Sequence, residues 1–205
     1  MEKVKDLILY QVATDRNYKV GDVLVFDSST ANGQYERVFN STYKIKDERL
    51  CDYIYNRVNN KVFNKMKKDD LYDIAHKLEG YDVIVKELAI EEVRRKLFPE
   101  FPSRFHCMYL SQNKTTALKN IKNFASLPGR DNMTFQVVAV KLNGKIFKAG
   151  RVYMSREGQS YNYYYEKAKE YWSQSHLEDV EVKEILFEGT AEIVEILDEI
   201  KNIKK

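Results

Sequence analysis

Cysteine, proline and glycine are all scarce in this 205-residue chain, and each shortage removes a class of protein. Two cysteines, Cys51 and Cys107, are too few for a disulfide framework or a zinc site, which fits a reducing cytoplasm. Three prolines and eight glycines exclude collagenous, low-complexity and long-linker architectures. The three histidines, His76, His106 and His176, are scattered, so no protein-built metal centre is expected. Walker, G-x-G-x-x-G, H-E-x-x-H and G-x-S-x-G signatures are all missing. Long apolar runs are missing too. The N-terminal MEKVKDLILYQVATD offers an apolar run of only about five residues, too short for a signal segment or a membrane span, so a cytoplasmic protein with no membrane partner is expected. The net charge of +3 is too balanced to announce a nucleic-acid or membrane-surface protein.

What the chain does have is enough to fold. Hydrophobic residues make up 43% and charged residues 32%, which supports one domain over residues 1–205 with a buried core. Tyrosine is in surplus at 15, against 1 tryptophan, and suggests an amphipathic, ligand-facing surface.

Periodicity sets the organisation. Leu7–Ala13 and Val23–Phe26 read as strands, separated by a polar turn through Gly21. From about Lys46 to Phe98 apolar residues recur at three- and four-residue spacing, which predicts two or three helices ending before Pro99 and Pro102. This block, 45–98, reads as a helical insertion or small lobe. Strand character returns at Phe105–Ser111, and a helix follows at Lys114–Phe124. The LPGRDN turn at 127–132 precedes a β-branched strand, Phe135–Leu142. Asn143-Gly144 then predicts a hairpin into Lys145–Phe147. Tyr161–Trp172 reads as an aromatic-rich helix, Val180–Phe187 and Ala191–Ile196 as a second hairpin about Glu188-Gly189-Thr190, and the end as a short Lys-rich helix. Hairpins imply antiparallel pairing and the order lacks regular βαβ alternation, so the fold class expected is α+β.

Two stretches could carry chemistry. If residues 104–109 are extended, Arg104, His106 and Met108 share one face and Phe105, Cys107 and Tyr109 the other. Arg104 and His106 then form a cationic pair at a strand start, suited to a phosphate. The same residues also read as an arginine salt-bridged to the helical block beside a half-buried histidine. In Glu181–Glu188, Ile185 and Phe187 share one face while Glu184, Leu186 and Glu188 share the other. A carboxylate beside Leu186 is either on a solvated edge strand or desolvated for a purpose, such as holding a ribose hydroxyl near a developing cation. The tyrosines of 161–172 read either as a stacking surface for a base or as a core-facing stripe.

The order of these pieces resembles the ADP-ribosyltransferase superfamily. The opening strand with Leu9-Tyr10-Gln11-Val12, the strand–helix unit Met108-Tyr109-Leu110-Ser111 into Thr115–Phe124, and Val182-Lys183-Glu184-Ile185-Leu186 on a late strand are similar to that family's motifs. Ser103–Ser111 is also similar to a stretch of the RNA 2′-phosphotransferases, an NAD-using branch, although their early Arg-His pair has no counterpart. The chain as a whole looks closest to a group of bacterial and phage proteins of this fold, over residues 7–26 and 103–197. Gln11 stands where many transferases carry His or Arg, and Val182 where arginine-modifying relatives carry Glu or Gln.

The resemblance implies an antiparallel split-sheet core with NAD as substrate in the cleft between two sheets. It implies Arg104, with His106, at the pyrophosphate and Tyr109, ahead of Ser111, on the nicotinamide. Tyr10 and Gln11 would hold the adenosine-side ribose and Glu184 the nicotinamide ribose, with ADP-ribose passing to an acceptor such as protein or nucleic acid. The alternative is a non-catalytic nucleotide- or protein-binding module on the same fold.

Overall fold

The computed structural model describes residues 1–60, 66–126, 132–150, 158–174 and 183–201. Two long strands dominate it: β6 (Thr134–Gly150) and β7 (Lys183–Lys201), antiparallel to each other from Thr134↔Lys201 to Gly150↔Lys183. β1 (Glu2–Thr14) lies antiparallel on the other edge of β6. The free edge of β7 is shared. β5 (Met108–Leu110) takes residues 185–187, and β2 (Val23–Phe26) takes residues 189–192. Tyr10 and Ser111 then exchange backbone hydrogen bonds of 3.1 and 2.7 Å, so the sheet curls until β1 meets the end of β5. All pairing is antiparallel, and the class is α+β as expected.

Both predicted hairpins are absent. Asn143-Gly144 and Glu188-Gly189-Thr190 lie inside unbroken strands and face each other, Asn143↔Thr190 and Gly144↔Gly189. The glycines serve close approach. A Cβ on Gly144 would run into the Glu188 carbonyl, and one on Gly189 into the Asn143 carbonyl, with the Phe187 ring packed over both. Gly189 also has φ of +137°, a conformation open to glycine alone. It marks the point where the partner of β7 changes from β5 to β2. β7 extends to Lys201 where a helical end was expected, because its residues still pair with Thr134 and Phe135. Residues 127–131, the start of the predicted turn, lie outside the described residues.

Among the described helices, Lys68–Leu97, Lys114–Ala125 and Tyr161–Ser173 pack on the main sheet. α1 (Gly33–Tyr35) is a single turn running into a π-helical turn, Glu36–Asn40. α2 (Leu50–Asn59) and the small hairpin β3 (Lys44–Ile45) and β4 (Glu48–Arg49) pack around Tyr53. α3 (Lys68–Leu97) is 30 residues long and is stopped by Pro99. Its C-terminal half belongs to the main core: Ala89, Ile90 and Val93 are fully buried against α5 (Tyr161–Ser173), and Trp172 Nε1 donates to the Ile90 carbonyl at 3.0 Å. Within 45–98 the described helices are α2 and α3, in line with the spacing, and half of α3 is built into the domain. α4 (Lys114–Ala125), capped by Asn113, lays Ala117 and Ile121 on Phe135 and Val137. Each fully buried large apolar side chain of this kind contributes about 1.5–3 kcal/mol.

Candidate functional site

A turn builds the site. The His106 amide donates to the Ser103 carbonyl at 3.1 Å, and Asn32 Nδ2 donates to the carbonyls of Arg104 and Cys107 at 2.8 Å each. These bonds hold residues 103–107 out of the sheet, so β5 begins only at Met108. The alternation expected from Arg104 onward therefore fails. Arg104, Phe105 and Cys107 all go inward, while His106 turns toward a surface cavity.

Arg104 ends in a buried ionic centre. Its Nε and Nη2 donate to the two carboxylate oxygens of Glu87 on α3 at 2.8 and 3.1 Å. Its Nη1 donates to the Tyr171 hydroxyl at 2.7 Å and to Glu184 Oε1 on β7. Tyr171 in turn donates to the same Glu184 oxygen at 2.7 Å. The rings of Tyr109 and Tyr171 each lie 5.2 Å from the guanidinium, and the Tyr109 hydroxyl donates to the Arg104 carbonyl. Burial works against the charged guanidinium, but Glu184 and Glu87 outweigh it and hold Arg104 above its ordinary pKa. Burial likewise pushes the Tyr109 and Tyr171 hydroxyls well up, so both stay protonated donors. One guanidinium between two carboxylates leaves the centre with a formal surplus of negative charge when both are ionised.

The two faces of β7 fall as expected. Ile185 and Phe187 join the interior cluster with Met108 and Leu110, while Leu186 packs against α3 and α5. Glu188, on the same face as Glu184, opens onto a cavity of about 1080 Å³ walled by Tyr35, Phe39, Phe101, Phe105 and His106. His106 Nδ1 lies 3.3 Å from the Thr30 carbonyl, so that nitrogen carries the proton in the neutral ring and leaves Nε2 to accept. Burial raises the Glu188 carboxyl above the glutamate range, against the pull of Lys145, Arg94 and His106.

The remaining predicted residues separate. Gln11 lines a second cavity, about 670 Å³, between β1 and β2, shared with Thr30, Asn32, Gln34 and Tyr109. Its Oε1 is buried there with no hydrogen-bond partner. Tyr10 alternates to the opposite face and packs against α4, and its backbone pairs with Ser111. The structure thus brings together Arg104, Glu184 and Tyr109, puts His106 in a neighbouring cavity, and leaves Tyr10 and Ser111 as a backbone bridge. Val182 and His176 lie outside the described residues.

Sequence reading missed three residues. Glu87 falls in line with Val83 and Ile90 on the buried stripe of α3, and a carboxylate in an apolar stripe was the available signal. Tyr171 and Glu188 were noticed only as members of a stripe and a strand. Tyr164, Tyr171 and Trp172 are fully buried, so that stripe of α5 is core-facing.

A family model described as Protein of unknown function (DUF2441) matches residues 9–199. The chain belongs to the DUF2441 family. No curated protein sequence matches it. Among the described residues of this DUF2441 chain, no group of three or more His, Cys, Asp or Glu side chains could hold a metal ion. No described helix is long and apolar enough to cross a membrane.

Proposed function

We propose that the chain is an NAD-dependent, ADP-ribosyltransferase-like enzyme. It would cleave the nicotinamide–ribose bond and pass ADP-ribose to an acceptor. The observation that carries this reading is the meeting of Arg104 and Tyr171 on one strand-borne carboxylate, Glu184. As the C1′–N bond breaks, nicotinamide leaves with the bonding pair and the ribose becomes cationic. A centre with surplus negative charge, fixed before the reaction, favours that cation. The acceptor then adds to C1′ and gives up a proton. Glu184 is the residue that would take the nicotinamide ribose hydroxyl. Arg104, already engaged by Glu87, acts as a positioning residue for Glu184 instead of meeting the pyrophosphate. Gln11, which lines the second cavity and keeps a buried Oε1 without a partner, suits a ribose hydroxyl donor.

The test is nicotinamide release from NAD by wild type beside Glu184→Gln. Glutamine keeps an acceptor for Arg104 and Tyr171, so the fold should survive, checked by circular dichroism. Release should fall by about 100-fold or more. Full activity in the variant would overturn the role of Glu184. The second reading, a non-catalytic binding module, is favoured by the complete pairing of Arg104, which also suits a clasp between α3, α5 and β7. NAD binding without nicotinamide release by the wild type would select it.

A further inference from the structure

The cavity at Glu188 lies outside the ionic centre and has its own chemistry. One part of its wall is a cluster of rings, and the C-terminal turns of α3 supply charged side chains. Phe39 packs at 4.7 Å from Tyr35 and 5.1 Å from Phe105 between centroids, yet 50% of its surface is exposed. Tyr35 ends α1, Phe39 lies on the π-helical turn at 36–40 and Phe105 on the 103–107 turn; Asn32 joins these segments, donating from Nδ2 to the Arg104 and Cys107 carbonyls and accepting from the amides of Tyr35 and Glu36. π-helical turns frequently mark functional sites.

The polar groups of the cavity are mostly spoken for. Glu91 is paired with Arg94 and accepts from Ser103, and Glu92 is paired with Lys96 and accepts from Tyr161. Glu100 stands in solvent. Glu188 is half-buried and has no hydrogen-bond or ion-pair partner among the described residues. Arg95, at the exposed end of α3, has none among them either.

A half-desolvated carboxylate beside an exposed aromatic ring calls for a flat ligand with hydrogen-bond donors on its edge. Guanine offers two parallel donors, N1–H and the exocyclic amine, to the two oxygens of one carboxylate. Adenine sets the lone pair of N1 beside its amine and would face the carboxylate with like charge density. Arg95 at the mouth adds a cation suited to phosphate. We propose that this cavity binds a guanine nucleotide, with the base laid on the exposed Phe39 ring, its Watson–Crick edge on Glu188 and its phosphate toward Arg95. A volume of about 1080 Å³ accommodates a mononucleotide with room to spare. The inference concerns binding alone and stands whether or not NAD is cleaved.

Calorimetric titration of the full chain with GMP, AMP, CMP and UMP tests it. GMP should bind about tenfold or more tightly than the other three, the discrimination expected of one good bidentate contact. Glu188→Gln should lower GMP affinity about tenfold and erase the preference over AMP. Arg95→Ala should weaken GMP but leave guanosine unchanged, and Phe39→Ala should weaken both. A single-stranded oligonucleotide holding one guanine, compared with GMP, tells whether a free nucleotide or a guanine within a strand is preferred. Equal affinity for the four nucleotides, no binding at millimolar concentration, or GMP binding untouched by both Glu188→Gln and Arg95→Ala would overturn the proposal.

Discussion

Glu184 and Glu188 stand four residues apart on the same face of the same strand, yet they live in different chemical worlds. Glu184 is roofed by α3 and α5 and meets a guanidinium and a phenol. Glu188 meets a cavity lined by rings and by the C-terminal turns of α3, and has its carboxyl raised by burial. Strand geometry made the two equivalent; the elements laid over the strand made them different. A sheet face therefore does not assign a role to a carboxylate until its cover is known.

That contrast can be broken hardest from the arginine. Arg104→Leu would strand Glu87 and Glu184 as unpaired buried carboxylates, and should destabilise the fold by about 3–5 kcal/mol in urea denaturation. A loss under about 1 kcal/mol would mean that the centre is hydrated and that its geometry is not what holds α3 to β7. Gly189→Ala strikes between the two environments. It forces a Cβ against the Asn143 carbonyl at a left-handed φ, and should cost about 2–4 kcal/mol through strain and overpacking. Thermal unfolding of the alanine variant at wild-type Tm would show that the two strands can separate there freely.

Smaller effects sharpen the comparison with pH. Asp70, partly buried at the start of α3, accepts from Lys46 and from Tyr53, and these bonds hold its carboxyl down at about 2. Its contribution is present at neutral pH and lost as pH falls from the ordinary aspartate value toward about 2. Asp70→Asn should therefore lower Tm slightly at pH 7 and match wild type at the acid end. Glu188 has the opposite sign. Its carboxyl is raised, so ionisation weakens the fold as pH climbs through its native pKa. Glu188→Gln should raise Tm a little at pH 7, with the gain gone below about pH 4. A Glu188→Gln variant that is less stable at pH 7 would mean that the ionised carboxylate has found a partner in solution.

Much of this layout is legible in the residues. The apolar runs of β1 and β2, the one-face spacing of α4 and the alternation of 184–188 all appear where local periodicity places them. The failures share one cause: a local signal answered to a distant partner. Asn143-Gly144 has the chemistry of a tight turn, but Gly189 lies across the ladder and uses the missing side chain for contact. Arg104 sits in a β-prone run, yet Asn32 fixes it in a turn from 72 positions away. The candidate site was half visible. Arg104, Glu184 and Tyr109 were named for separate duties and converge, whereas the partner that neutralises Arg104 was hidden among the charges of α3.

The sheet's order of pairing has a consequence for how the chain comes to exist. Among the described strands β7 is made last, and it is the one on which β2, β5 and β6 all depend. During synthesis Thr14 has no partner until Phe135 emerges, and Phe26 none until Gly189 does. For most of translation the ribosome therefore carries open strand edges with nothing to close them, and such edges are the ones that invite pairing between chains. The protein should fold slowly for its size, and it should lean on chaperones most in the interval before β7 leaves the ribosome.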